Sequence, residues 1–174
     1  MLVYLLRHGV AEDLGPSGPR EDRLRRLTKE GHERLRESMP AFRLAMREPP
    51  ARLLSSPYLR ALETAQILRE SLELEPGIEE LKVLTPEADP HQALDLLRGE
   101  LLGDAAAGPF VLVGHEPHLG RLLGLLVTGG DHAAIPLRKG MLVAVEVEEP
   151  QGMLGELLFA LPHKFARALR KHLE

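Results

Sequence analysis

Apolar positions along the chain form two alternating kinds of segment. Short continuous runs at Leu2 to Leu6, Arg52-Leu53-Leu54-Ser55 and Phe110-Val111-Leu112-Val113 predict strands covered on both faces. Met141 to Val147 and Met153 to Leu161 predict two later strands, with Glu148-Glu149-Pro150-Gln151-Gly152 as the turn between them. Leu81 to Leu84 predicts one further short strand. Between these runs the apolar residues recur at helical spacing. Leu35, Met39, Phe42 and Met46 make one stripe, which Pro40 should kink or split. Ala61, Ala65, Leu68 and Leu72 make a second, and His91 to Leu102, Pro117 to Val127 and Pro162 to Leu173 read as three more helices. Strand and helix alternate without repeat or linker. The expected fold is a three-layer α/β/α sandwich with a mainly parallel, partly mixed central sheet, and residues 1–174 form a single domain.

Composition narrows the function classes. The 174 residues carry 22 basic and 26 acidic side chains, so no global positive field draws the chain to nucleic acid or an anionic membrane. There is no Cys, which excludes disulfides, thiolate metal sites and thiol nucleophiles. The apolar start is interrupted at once by Arg7-His8, too early for a signal segment or membrane span, so a cytoplasmic protein is expected. Charge is unevenly spread. Residues 1–60 hold 12 basic and 8 acidic side chains, whereas residues 61–104 hold 3 and 11. The least regular stretch, Glu12 to Arg26, combines several Gly and Pro with many charges; a loop of that length is usually functional or mobile.

In open α/β sheets ligands bind beyond the carboxyl ends of the strands, and three such ends are chemically unusual here. The first strand runs into Arg7-His8-Gly9, where Gly9 permits a sharp turn or a close ligand. Ser55-Ser56-Pro57 reads as a helix start, with Ser56 as N-cap and Pro57 first in the helix. Arg60 then falls in the first turn, where a cation opposes the helix dipole unless an anion joins it; a solvated surface arginine is the alternative. Gly114-His115-Glu116-Pro117 repeats the strand-to-helix logic. His115, Glu116 and His118 lack metal-protease spacing, so no metal site is expected. His32, His91, His118, His132, His163 and His172 read as surface or capping histidines. Two His and two Arg without a carboxylate pair suit a multiply charged tetrahedral anion, which is phosphate.

These residues carry a resemblance. Arg7-His8-Gly9 (an RHG motif), Ser55-Ser56-Pro57-x-x-Arg60-Ala61-x-x-Thr64-Ala65 and Gly114-His115-Glu116-Pro117 resemble the motifs of the histidine phosphatase superfamily, also called phosphoglycerate mutase-like. Asp22-x-x-Arg25-Arg26-Leu27-Thr28-x-x-Gly31 and Leu84-Thr85-Pro86-Glu87-Ala88-Asp89-Pro90 look most like its SixA type of phosphohistidine phosphatase, with Arg26 where that branch has Pro. The resemblance spans most of the chain and implies catalytic residues His8, Arg7, Arg60 and His115. His8 would take the phosphoryl group covalently, and Arg7, Arg60 and His115 would bind the substrate's oxygens, with His115 acting as a cation if protonated. It implies no cofactor and no metal.

The resemblance leaves the substrate open. A phosphate monoester needs an acid at its leaving oxygen, for which Glu79 or Glu80 lies nearby in sequence, although a solvated acidic turn explains both equally well. Phosphohistidine leaves as imidazole and needs such an acid less. About fifty positions separate Arg60 from Phe110, leaving little room for a lid, so the favoured partner is a phosphorylated protein. The alternatives are a broad phosphomonoesterase on small phosphorylated metabolites and a non-catalytic phosphate or phosphoprotein binding module. Arg20, Arg23 and Arg25 in the 12–26 loop could contact substrate or simply be solvated. A monomer is expected, with neither nucleic acid nor membrane as partner.

Overall fold

The computed structural model describes all residues except 17, 103–107, 131–134, 148–153 and 174, with the backbone alone at 101 and 102. Six strands form one sheet: β1 (Leu2–Arg7), β2 (Arg52–Ser55), β3 (Ile78–Glu80), β4 (Phe110–Gly114), β5 (Leu142–Val147) and β6 (Gly155–Leu161). Their order is β3-β2-β4-β1-β5-β6. The β3-β2-β4-β1 part is parallel, while β5 pairs antiparallel with both β1 and β6. Five α-helices accompany it among the described residues: α1 (Lys29–Ala45), α2 (Leu59–Leu72), α3 (Pro90–Leu102), α4 (His118–Thr128) and α5 (His163–Arg170). None is long and apolar enough to cross a membrane.

The continuous apolar runs are explained by burial on both faces. In β1, Tyr4 and Leu6 join the core under α1, α2 and α5, whereas Val3 and Leu5 join the one under α3 and α4. That is the expected three-layer α/β/α sandwich. The first core includes Leu35, Met39, Phe42 and Met46, the second Leu94, Leu97, Leu122 and Leu126. Each chain segment therefore delivers its apolar stripe to the sheet, and the strand ends are left to carry polar groups.

Four local expectations are corrected. Pro40 does not split the first helix, which runs through it; Met39, Ala41 and Phe42 are buried on both sides of the proline, and their packing holds the helix together. The strand near residue 80 is Ile78–Glu80, while Lys82–Leu84 forms a 3₁₀ turn that drops Leu84 into the second core. The second helix begins at Leu59 with Tyr58 as N-cap, two residues later than Ser56-Pro57 predicted. Finally His118 is buried, not a surface residue. The turn at 148–152, Met153 and His132 lie outside the described residues.

The 12–26 loop is clasped at its base. Ala11 and Leu27 form an isolated antiparallel bridge, and the Thr28 amide donates to the Val10 carbonyl. Thr28 also caps α1 through its hydroxyl, which accepts from the Gly31 amide at 3.0 Å. Gly31 is required by proximity: a Cβ there would lie 2.1 Å from the Val10 carbonyl oxygen. The Thr28-x-x-Gly31 motif thus presses the helix start onto the segment leaving His8.

Candidate active site

β1 and β4 are adjacent and parallel, with Arg7 in register with Gly114, so the residues that follow them emerge side by side at the carboxyl edge. His8 and His115 are both buried, at 5% and 1% exposure, with ring centroids 5.0 Å apart. β2 ends beside β4, and Ser56 places its hydroxyl 2.8 Å from His115 Nε2. Arg60, one turn further and 4% exposed, donates from Nε to His8 Nε2 at 3.2 Å. Three remote stretches of sequence therefore converge on one imidazole, as the strand-end reading predicts.

Hydrogen bonding sets the tautomer of His8. Its Nδ1 lies 2.7 Å from the Gly9 carbonyl oxygen, which can only accept, so Nδ1 carries the proton. Nε2, receiving the Arg60 Nε–H, holds the lone pair. The Gly9 amide in turn donates to the Thr64 hydroxyl at 3.2 Å, and that hydroxyl donates to the Arg60 carbonyl at 2.7 Å. Thr64 therefore ties the turn after β1 to the first turns of α2. A Cβ on Gly9 would sit 2.7 Å from the Leu35 side chain, so a larger residue after His8 would push Leu35 aside.

Burial keeps these imidazoles uncharged. Desolvation is the main cause that pushes His8 down to about 3; the Gly9 carbonyl opposes it, while Arg60, Arg7 and Lys139 add to it. His115 falls to about 2, again chiefly by desolvation and then by its neighbours His8 and Arg60. His115 is thus neutral, and the cationic role implied for it requires an anion to bring a proton with it. Tyr58 packs edge-on against His115 at 5.2 Å and beneath the Arg60 guanidinium at 5.1 Å, and its hydroxyl donates to the Glu87 carboxylate at 3.0 Å.

The anion expected beside Arg60 is supplied within the chain. Asp22, in the 3₁₀ turn Asp22–Leu24, accepts from Arg60 through its carbonyl at 2.7 Å and its carboxylate at 2.8 Å. Arg25 grips the other carboxylate oxygen at 2.8 Å and also donates to the Glu12 carbonyl. Burial alone would raise the Asp22 carboxyl, but the hydrogen bonds from Arg25 and Arg60 outweigh it and hold it below its ordinary range. Of Arg20, Arg23 and Arg25, only Arg25 is joined to the site in this way; Arg23 pairs with Glu21 and Arg20 is exposed.

Arg7 is anchored from the opposite side. Its NH1 donates to the Leu137 carbonyl at 2.6 Å, and the Leu137 amide donates to Glu116 Oε1 at 2.9 Å. Arg7 Nε is buried without a hydrogen-bond partner. Burial raises the Glu116 carboxyl, partly offset by the Leu137 amide and by Arg7. Among the described residues no group of three or more His, Cys, Asp or Glu is placed to hold a metal ion.

Glu79 does not face the pocket. It forms a two-pronged ion pair with Arg52, at 2.9 and 2.8 Å, at the amino end of β2, and those hydrogen bonds hold its carboxyl low. Glu80 is exposed at the end of β3. The roles of Asp22, Tyr58, Glu87 and Thr64 were not read from the sequence. Asp22 stood within the Asp-x-x-Arg motif, which signals that position; Tyr58 and Glu87 had no signal beyond lying at helix and turn starts.

Comparison with known proteins agrees with this geometry. Residues 3–94 match the family model for the histidine phosphatase superfamily (branch 1). The chain is 30% identical over 135 residues to a phosphohistidine phosphatase SixA homolog of Haemophilus influenzae, covering 72% of this chain and 77% of that one. The fold is similar to that of the protein histidine phosphatase SixA complexed with tungstate, at a TM-score of 0.79 and 24% identity over 94% of this chain and 98% of that one. It is also similar to a mycobacterial glucosyl-3-phosphoglycerate phosphatase with inorganic phosphate, at a TM-score of 0.68 and 15% identity over 95% and 98%. A lone-pair nitrogen beside the buried Arg60 guanidinium and the matched family coincide. The chain belongs to branch 1 of the histidine phosphatase superfamily and is a phosphatase of SixA type.

Proposed function

We propose that the chain hydrolyses protein phosphohistidine through a covalent phosphoryl intermediate on His8. The observation that carries this reading is the locked tautomer of His8, with Nδ1–H on the Gly9 carbonyl and the Nε2 lone pair beside Arg60. In the first step Nε2 attacks phosphorus and the P–N bond to the substrate imidazole breaks. That imidazole leaves with the electron pair and takes a proton from solvent. The Gly9 carbonyl stabilises the positive charge that develops on the His8 ring. Water then attacks phosphorus, the bond to Nε2 breaks, and phosphate departs.

Charge on the transferring oxygens meets Arg7, Arg60 and His115. A phosphoryl oxygen takes over the Arg60 Nε–H from His8, freeing the nucleophile's lone pair. The buried Arg60 and half-buried Arg7 guanidiniums, which both act on His8, repel a metal cation, and this supports a metal-independent reaction.

The leaving group supports phosphohistidine over a phosphate monoester. Glu79 is committed to Arg52, so one of the two carboxylates considered as the leaving-group acid is turned away. Only the turn Lys82–Leu84 and α3 lie between β3 and β4 among the described residues, and no inserted cover is present among them. The similarity to a SixA homolog adds weight, since that protein is named for phosphohistidine. We further propose a cytoplasmic monomer. The test is a steady-state ranking with and without chelator. A phosphorylated histidine-containing domain should exceed phosphoglycerate and sugar phosphates in kcat/KM, chelator should change nothing, and His8→Ala should abolish turnover. A higher kcat/KM for the small metabolites would overturn the assignment.

A further inference from the structure

Beside the nucleophile lies a surface that its chemistry does not use. The segment after Leu137 is bound tightly to the site, because the Gly140 amide donates to the carbonyls of both Arg7 and His8, at 3.1 and 3.0 Å. A Cβ at Gly140 would lie 3.4 Å from the His163 Cβ, so the start of α5 packs directly behind that loop. An open cleft of about 380 Å³ is formed there by Arg34, Arg138, Lys164 and Phe165, among others. Arg138, Lys139 and Lys164 are exposed and form no ion pair among the described residues; the nearby pairs Arg34–Glu30 and Arg167–Glu37 neutralise two other cations.

Phe165 does not fit a solvated surface. Helix α5 turns Ala166 fully into the core, yet leaves the Phe165 ring 62% exposed amid these cations. Aromatic residues and Arg are enriched at protein recognition surfaces, and surrounding charge steers and orients a partner of opposite sign. Charge here contrasts with the chain as a whole, which carries more acidic than basic residues.

We infer that Arg138, Lys139, Lys164 and Phe165 form a docking surface for an acidic protein face adjoining the substrate phosphohistidine. This rests on the proposed phosphohistidine activity. The occupant is the phosphorylated domain itself: its acidic side chains meet the unpaired cations, and an apolar spot on it covers the Phe165 ring. The surface is bonded to the backbone of Arg7 and His8, so a protein seated on it is held in fixed register with the nucleophile. Electrostatic steering should then raise the encounter rate for that substrate alone.

The test compares Phe165→Ala and Lys164→Glu with a control, Arg98→Glu, on α3 across the sheet. Each is assayed on a phosphorylated histidine-containing domain and on phosphoramidate. The two docking variants should lower kcat/KM for the protein substrate by about ten-fold or more through KM. They should leave phosphoramidate hydrolysis unchanged, and Lys164→Glu should flatten the salt dependence with the protein substrate. Arg98→Glu should alter neither substrate. If the wild-type enzyme hydrolyses the phosphorylated domain and both docking variants match it, the surface assignment is wrong while the activity stands. Equal losses on both substrates would also overturn it, as would preferential loss on a small anionic metabolite. If the wild-type enzyme hydrolyses only phosphoramidate, the phosphohistidine-protein reading falls, and the docking surface with it.

Discussion

Three buried neutral histidines should make this protein acid-labile in a window above that of its carboxylates. His8, His115 and His118 are held at about 3, 2 and 4, in each case mainly by desolvation. His118 is 1% exposed and neither ring nitrogen makes a well-formed hydrogen bond, although the Val83 carbonyl and Asp89 favour its charged form slightly and Arg121 opposes it. The unfolded chain regains the ordinary value near 6.5, so it binds protons that the folded chain refuses. Stability is therefore full above about 6.5 and declines as pH falls below it. Between about pH 7.5 and pH 5 each histidine costs about 2 kcal/mol, giving a sum on the order of 6 kcal/mol. That is comparable to the whole stability of many domains. Glu116, with its raised carboxyl, offsets a part. His118→Leu removes one contributor while keeping His8, Arg7, Arg60 and His115, and it removes two unsatisfied nitrogens as well. Urea denaturation followed by circular dichroism across this range should show the variant losing about 2 kcal/mol less than wild type. Identical losses would mean that His118 protonates freely in the folded protein, and the burial argument would fail.

Other consequences are equally direct. Because His8 stays neutral far below its ordinary range, kcat/KM for phosphoramidate, corrected for substrate ionisation, should change less than about two-fold from pH 7.5 to pH 6; a limb centred near 6.5 would contradict this. Asp22→Ala removes the carboxylate that aligns Arg60 and should lower kcat/KM about ten-fold. A faster variant would show instead that Asp22 competes with phosphate for the guanidinium. Thr64→Val strands the buried Gly9 amide and should cost about 1–3 kcal/mol in chemical denaturation; a neutral result would mean that the amide finds another partner.

Much of this architecture was legible in the pattern of apolar residues. Continuous runs marked β1, β2 and β4 because each is covered on both faces, and Arg7, His8, Arg60 and His115 were legible because they follow such runs or open the next helix. Other features could not be read. Leu81-Lys82-Val83-Leu84 has the composition of a strand, but it turns so that Leu84 can fill the core beneath α3 and α4. Ser56 resembles an N-cap, yet its hydroxyl is shared with His115, and the helix waits for Leu59. His118 looked like a capping residue; only the packing between α4 and the turn at Val83 buries it. Asp22 reaches Arg60 across 38 residues of sequence, a pairing that no local pattern encodes.

The central claim is that His8 Nε2 itself accepts the phosphoryl group. Enzyme quenched into alkali during turnover of phosphoramidate, where phosphohistidine survives, can be digested and sequenced by tandem mass spectrometry. The peptide containing His8 should carry one phosphoryl group on the imidazole, and the modification should disappear once substrate is exhausted. Full turnover with His8 unmodified, or the group found on His115 instead, would contradict the account.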